Sequence, residues 1–312
     1  MKKYYIGLAL ICAAGLATTS CDMDKYPESS IEESKYLQTV GDFENIKIGL
    51  YSQFRGLTTG SFILSQEIQC DDFNATNGFS NAYGGMYRWE FQTTEETMES
   101  FWGNYYGAIA RCNYVIDGYE KVLKGSIPNL EEEDLATISQ IAGEAYFARA
   151  FSYYTLSLYF CKDYDPATAD KDYGLPLQLT YNPTSDASYY PGRSSMKETY
   201  EQINADINKA AELIKTEGEQ SCYYASVDAV KALRARVALQ MDDYATASKN
   251  AVEVISTGTY PLIEDADEYK EVWWHDAGTE TIWQIVMNEN ELGAKTGNLF
   301  CEIGRASCRE RV

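Results

Sequence analysis

The stretch "ISQIAGEAYFARAFSYYTLSLYF", residues 138 to 160, is apolar or aromatic around most of the circumference of a helix. A helix of this kind is stable in water only when other elements surround it. We interpret Glu144 and Arg149, which interrupt the run, as a buried polar pair or as partners for neighbouring helix ends, and not as catalysts. The stretch therefore predicts the central helix of an α-helical domain.

Amphipathic segments on both sides of this stretch supply the surrounding helices. Helical periodicity covers residues 42 to 57 and resumes at residue 97. The second of these segments carries one apolar stripe, made of Phe101, Tyr105, Ile109, Cys112 and Ile116. Further along, Ser195 and Glu198 form the capping box of a helix that extends to about Ile214. The pattern predicts a mostly α fold.

Two more helices, 226–241 and 244–257, are separated by only "DD", so they form an antiparallel hairpin. The turn "DDYATA" resembles that of a tetratricopeptide repeat, and Gly258 closes the second helix. Farther on, "ETIWQIVM", residues 280 to 287, has near-alternating apolar residues and is the best strand candidate.

Two long connections interrupt the helical pattern. Residues 58 to 94 contain "DDFNATNGFSNAYGGMYRWEF", and residues 161 to 193 carry four prolines. Loops longer than about 12 to 15 residues are usually functional or disordered, and the aromatic residues of the first connection argue against disorder.

Composition argues against a disordered chain and against a nucleic-acid-binding protein. The chain has 312 residues, of which 45% are hydrophobic and 13% aromatic, so it can bury a real core in one or two domains. Its formal net charge of -21 repels phosphate backbones, which argues against binding to nucleic acid.

The N-terminus has the order of a secretory signal peptide, predicted to span residues 1 to 20. Lys2 and Lys3 precede an apolar run that is shorter than the about 20 residues needed to cross a bilayer. Small residues then precede Cys21, as in lipoproteins whose new first cysteine is lipidated. Cys21 would thus be a membrane anchor. The alternative is ordinary cleavage nearby, with an incidental cysteine.

The remaining chemistry-bearing residues give no sign of a metal or cofactor site. Cys70, Cys112, Cys161 and Cys222 are scattered, so sequence cannot pair them, and we interpret them as buried small hydrophobes. His275 is the only histidine, and a polar contact suits it better than catalysis. We expect no cofactor.

The last twelve residues, "CEIGRASCRERV", are rich in arginine and have no apolar period. We interpret residues 301 to 312 as a non-native junction or vector-derived tail, and residues 21 to 300 as the domain.

The order of several segments resembles one known family. These are "CDMDKYPESS", "FWGNYYGAIARCNYVID", "GEAYFARAFSYYTLSLYF", "DYGLPLQLT", "RSSMKETYEQINADINKAAELI" and the hairpin. Together they resemble the SusD/RagB nutrient-binding outer-membrane lipoproteins of Bacteroidetes over nearly all of residues 21 to 300. The resemblance implies a helical fold with tetratricopeptide-like helix pairs and long ligand-binding loops. It also implies that the C-terminal part is missing, because family chains continue well beyond this point.

The resemblance further implies a function and a partner. Members capture oligosaccharides, or peptides in the RagB branch, and pass them to a SusC-like TonB-dependent transporter in the outer membrane. We therefore expect a surface-exposed, lipid-anchored protein that is not an enzyme.

Sugar recognition needs exposed aromatic rings for stacking and nearby polar groups for hydrogen bonds. The first long connection offers both, and Trp273 and Trp274 are second candidates because neighbouring residues cannot both face inward on a regular element. The alternative is that the loop aromatics pin the loop to the helical body. Trp102 and Trp283 lie on apolar stripes and are interpreted as core. The predicted ligand-binding residues of the loop are Asp72, Asn74, Phe79, Asn81, Tyr83, Tyr87 and Trp89.

Two other classes stay open. A glycoside hydrolase needs only two suitably spaced carboxylates, which spacing in sequence cannot exclude. A helical-repeat scaffold would bind a protein and no small ligand, but it would not need the aromatic loop.

Overall fold

The computed structural model describes residues 37–58, 61–70, 83–92, 96–275 and 278–285, and these residues form nine α-helices and a two-stranded antiparallel sheet. The strands are β1 (Tyr173–Pro176) and β2 (Arg193–Ser195), which pair in an irregular register. The helices are α1 (Val40–Leu57), α2 (Ser61–Gln69), α3 (Gly84–Tyr87), α4 (Glu96–Leu123), α5 (Glu132–Phe160), α6 (Met196–Leu213), α7 (Val227–Gln240), α8 (Tyr244–Ile255) and α9 (Ala266–His275).

Helix α5 is the centre of the fold, as its sequence predicts. Every residue from 141 to 150 is buried, and the helix packs against α1, α4, α6 and α7. Gly143 allows the closest approach, because a Cβ there would lie 2.9 Å from the Leu213 Cβ at the end of α6. The central helix is therefore enclosed on nearly all sides.

The two buried charged residues of α5 are paired with side chains in the interior of other helices, neither with each other nor with helix ends, which corrects both sequence interpretations of their partners. The Arg149 guanidinium donates to both carboxylate oxygens of Asp206 on α6, at 2.6 and 2.8 Å, and to the Asn113 side chain on α4. Glu144 accepts from Lys47 of α1 at 2.9 Å. Two residues five apart on a helix face different neighbours, so each finds its own partner.

Burial alone would lower the pKa of Arg149, but its hydrogen bonds to Asp206 and the charge of that carboxylate outweigh burial and raise it. The guanidinium therefore stays charged and ties three helices together.

Other predictions of local structure are confirmed. The α4 stripe is wholly buried, with exposed fractions of 0 to 5% from Phe101 to Ile116. Ser195 and Glu198 form the capping box of α6. Helices α7 and α8 pack as a hairpin in which Asp243 caps the second helix, and Gly258 has the positive φ of 68° that a closing glycine adopts.

The predicted loop of residues 58 to 94 is wrong in part, because it contains α2 and the short α3. The segment "SFILSQEIQ" has enough apolar residues to form a helix, and Phe62 packs on Phe101 of α4 at 5.2 Å. The prediction gave too much weight to the turn formers that follow.

The predicted strand at 280 to 287 is also wrong for its described residues, 280 to 285, which adopt no regular structure. Within the part of the chain that the structure describes, backbone bonds join this segment to residues 221 and 222, from Ser221 N to Thr281 O and from Gln284 N to Cys222 O. Its apolar residues alternate because Trp283 packs between helices, not because a sheet is present.

The four central cysteines are all free. Cys112 and Cys222 are buried as expected, whereas Cys161 is half-buried and Cys70 is exposed. Within the described ranges no helix has the length and hydrophobicity to cross a bilayer, and no His, Cys, Asp and Glu cluster could hold a metal ion.

Candidate functional site

The end of the first long connection is built on a small apolar cluster. Ile68 of α2 and Met86 of α3 are 3% and 1% exposed, and Tyr83 and Tyr87 pack against them. Both tyrosines are half-buried. Tyr83 and Tyr87, two of the predicted ligand-binding residues, therefore help to hold the connection in place by packing. This is the alternative that the sequence left open.

Trp89 and Phe91 behave differently, because both rings lie on the surface. Trp89 is 64% exposed and Phe91 is 43% exposed. Their centroids are 5.9 Å apart and their planes meet at 87°, an edge-to-face contact. We call this pair the aromatic platform. Its two exposed rings next to one another form an apolar surface with one face open to solvent.

The backbone holds the platform in a constrained conformation. Trp89 has a φ of 57° and Tyr83 has a φ of 58°, so an aromatic residue occupies the left-handed region at each end of α3. Glycine usually takes the position that follows a helix, because a side chain there is strained. Such strain is typical of functional positions, where the surrounding structure enforces it.

Hydrogen-bonding groups flank the platform. The Arg88 Nε donates to the Glu90 Oε2 at 2.9 Å, and both side chains are about half exposed, at 45% and 59%. An exposed ion pair adds little to stability. Beside an open indole ring, it places a donor group and an acceptor group within reach of a polar ligand.

Several predicted site residues fall outside the described structure. Asp72, Asn74, Phe79 and Asn81 belong to residues 71 to 82, which lie outside the described ranges, as does the predicted anchor Cys21. Trp273 and Trp274 are consecutive residues near the end of α9, and their side chains are likewise outside the description.

The two tryptophans interpreted as core are both half-buried, and each lines a surface pocket. Trp283 packs edge-to-face on Phe147 and Phe151, with centroids 5.2 and 6.0 Å away. Trp102 packs near Tyr106 at 4.8 Å and lines a different pocket. The sequence pattern did not predict this second pocket.

We call this second surface the aromatic pocket. It has a volume of about 480 Å³ and lies between α4 and the connection from β1 to β2. The signal that could have revealed it is "TYNPTSDASYYPG", which interleaves tyrosine, proline and asparagine much as the first connection interleaves aromatic and amide residues. Its lining is formed by Trp102, Tyr106, Ala110, Pro176, Gln178, Thr180, Tyr181, Asn182, Pro183, Thr184, Tyr189, Tyr190 and Pro191.

Comparison with known proteins identifies a family model and relatives that this chain matches. Residues 24–239 match the model of a SusD-like family described as "Starch-binding associating with outer membrane". A curated relative, the SusD-like protein P38 of Formosa agariphila, is 23% identical over 96% of this chain and 57% of its own length.

Solved structures share the fold. A SusD superfamily protein of Bacteroides thetaiotaomicron has a TM-score of 0.64 at 21% identity, covering 83% of this chain and 55% of that one. A SusD superfamily protein of Bacteroides fragilis gives 0.64 at 20% identity, with 82% and 58% covered. A putative sugar binding protein of Bacteroides vulgatus gives 0.63 at 18% identity, with 86% and 58% covered.

The chain thus spans a little more than half the length of the relatives it matches. The family match covers well over half of this chain, and the helical fold agrees with that of the solved structures. The resemblance and the fold class predicted from the sequence are both confirmed: the chain belongs to the SusD-like family.

Proposed function

We propose that this protein captures neutral oligosaccharides at the cell surface without cleaving them, and that the aromatic platform is part of the binding site. The observation that carries the proposal is the exposed edge-to-face pair of Trp89 and Phe91 in a chain of this family. Sugar rings present flat CH faces that stack on exposed aromatic rings, and their hydroxyls bond to nearby polar groups such as Arg88 and Glu90.

Charge favours a neutral ligand. The chain has 47 acidic and only 26 basic residues, so its field repels uronic acids and sulfated sugars. A neutral glycan pays no such cost, and stacking depends on the ring faces, not on charge.

The proposal extends to location and partner. Lipidation of Cys21 would hold the protein in the outer membrane, and a SusC-like TonB-dependent transporter would receive the captured ligand. The family description of association with the outer membrane supports this arrangement.

Affinity electrophoresis in gels that contain one neutral polysaccharide each tests capture. We expect slower migration in at least one gel, with a smaller delay in Trp89→Ala. Tyr244→Ala is the control, since Tyr244 is 62% exposed and belongs to neither aromatic surface. The same mixtures, assayed for reducing ends, should show no release above background.

Three results would contradict the proposal. Steady release of reducing ends would favour a glycoside hydrolase. Migration unchanged by every glycan, together with binding to peptides, would favour the peptide-binding branch of the family. Binding to neither would favour a scaffold that recognises only proteins.

A further inference from the structure

The aromatic pocket is separate in sequence from the aromatic platform. Its residues come from α4 and from the 176–191 segment, whereas the platform follows α3. Its volume of about 480 Å³ falls within the range of about 300 to 1,000 Å³ that is typical of small-molecule sites. It is therefore large enough to hold a ligand of its own.

The pocket lining contains no charged residue, although charged residues make up 23% of the chain. A charged ligand would lose its hydration there without gaining an ionic partner. The lining instead combines aromatic and proline rings with uncharged amide and hydroxyl side chains. This combination favours a neutral ligand that has both apolar faces and hydrogen-bonding groups.

Three polar groups of the lining are available to such a ligand. No hydrogen bond joins the Asn182 amide, the Tyr189 hydroxyl or the Trp102 Nε1 to another described residue. The amide and the hydroxyl can each donate and accept, as sugar hydroxyls do. A proline-rich peptide, the other common ligand of aromatic grooves, offers carbonyl acceptors to these groups but, at its prolines, no N–H donor for the amide oxygen. The polar groups thus favour a saccharide.

Internal bonds hold the rings in place. The Tyr190 hydroxyl donates to the Thr184 carbonyl at 2.9 Å, and Asp186 accepts from Ser188 N at 2.9 Å to cap the 3₁₀ turn 187–189. Tyr106 donates to the Pro176 carbonyl at 2.8 Å. Tyr189 remains 64% exposed on this turn. The pocket is consequently formed before any ligand arrives, which lowers the entropy cost of binding.

We propose that the aromatic pocket is a second binding site for a neutral oligosaccharide, in which Tyr189 and Trp102 stack on sugar rings and Asn182 bonds to their hydroxyls. The proposal rests on the proposed function for its ligand class but not for its position. Two sites on one chain would raise the avidity for a long glycan without a new contact at either site.

Isothermal titration of a panel of neutral oligosaccharides into the full chain tests this. The panel contains maltoheptaose, cellohexaose, laminarihexaose, mannohexaose and xylohexaose. In Trp89→Ala, we expect one saturable event to remain for at least one sugar. Adding Tyr189→Ala or Asn182→Ala should weaken that event by about tenfold or more, the scale of one lost stacking or hydrogen-bonding partner. Tyr189→Phe, which keeps the ring but loses the hydroxyl, should bind more weakly than Tyr189 and more tightly than Tyr189→Ala.

The alternatives are distinguishable. If no sugar binds the unsubstituted chain, both this inference and the proposed function fail. If sugars bind but Tyr189→Ala and Asn182→Ala change nothing, the pocket is not a site and the proposed function stands. If decaproline binds and Tyr189→Ala abolishes its binding, while sugar binding is unaffected, the pocket takes a peptide and the inference is wrong. Unchanged thermal unfolding of each variant, with Tyr244→Ala as control, excludes misfolding.

Discussion

Gly143 shows how one residue sets the distance between the central helix and its neighbour. A Cβ at this position would lie 2.9 Å from the Leu213 Cβ and 3.1 Å from the Ile214 backbone nitrogen, closer than such atoms normally approach. Gly103 offers a matched comparison, since it also lies within a helix, but nothing stands within 4 Å of a Cβ there.

Gly143→Ala should lower the free energy of unfolding by about 1 to 3 kcal/mol, because α5 and the end of α6 must move apart. Gly103→Ala should instead raise it by up to about 1 kcal/mol through helix propensity. Urea denaturation measures both. Equal effects of the two substitutions would show that the close approach does not matter.

For single residues, the sequence predicted which residues face the core of a helix better than it predicted what surrounds each side chain. The buried stripe of α4 could be read from spacing, because periodicity records which side of a helix is apolar. Spacing placed both Trp102 and Trp283 on apolar stripes, but it did not predict that both are only half-buried and line pockets. The environment of Trp102 depends on the 176–191 segment, which packs against α4 only in the folded chain.

At the scale of single elements, the start of α6 depends on a capping box. Glu198 accepts from the Ser195 backbone nitrogen and from its hydroxyl, both at 2.8 Å. The backbone hydrogen bond, and then the side-chain bond, hold the pKa of Glu198 below its usual value. A lowered folded pKa means that the stabilising charge is present above the unfolded pKa, about 4.3, and is lost as the pH falls through the folded value.

Glu198→Gln keeps a capping side chain but removes its charge. We expect a lower melting temperature than the unsubstituted protein at pH 7, and a difference that shrinks as the pH falls toward about 3. Melting curves across this pH range measure it. A difference that stays constant with pH would contradict the role of the charge.

An ion pair between Arg149 and Asp206 links α5 to α6. Arg149 and Asp206 are both nearly fully buried, with side-chain exposures of 5% and 2%.

Arg149→Met would leave the carboxylate buried without its partner, at a cost of about 3 to 5 kcal/mol in unfolding free energy. Arg149→Met combined with Asp206→Leu should recover much of that loss. Urea denaturation of the three proteins checks this, and a loss below about 1 kcal/mol in the single variant would contradict it.

Helix positions could be predicted from sequence because caps and periodicity are local signals, as the bounds of α4 and α6 illustrate. The strand predicted from residue 280 does not form in the described residues 280 to 285. Near-alternation of apolar residues indicates only that both sides of a segment are partly buried, and helices can surround a segment in this way as well as sheets can. The candidate site shows the same limit. Aromatic residues near the platform could be located, but which rings are exposed depends on the Ile68 and Met86 cluster.

At the scale of the whole molecule, the predicted signal peptide and Cys21 lead us to propose attachment to a membrane. Cys21→Ala should move the protein from the membrane fraction to the soluble one, because the residue that we propose to be lipidated is gone while the folded domain is unchanged. Immunoblots of fractionated cells measure the distribution. Retention of the variant in the membrane fraction would show that Cys21 is not the anchor.

We propose that the negative charge of the chain repels anionic polymers and that the exposed rings stack on neutral ones. Stacking and hydrogen bonding hold a ligand without breaking any of its bonds, so we expect capture without turnover.

Titration of the neutral oligosaccharide panel into the unsubstituted protein and into Trp89→Ala distinguishes capture from turnover and measures the part that Trp89 plays. We predict saturable binding of at least one sugar, recovery of that sugar intact, and an affinity at least about tenfold weaker in Trp89→Ala. Absence of binding across the panel or cleavage of the bound sugar would exclude capture without turnover, and equal affinity in the two proteins would exclude Trp89 from the binding site.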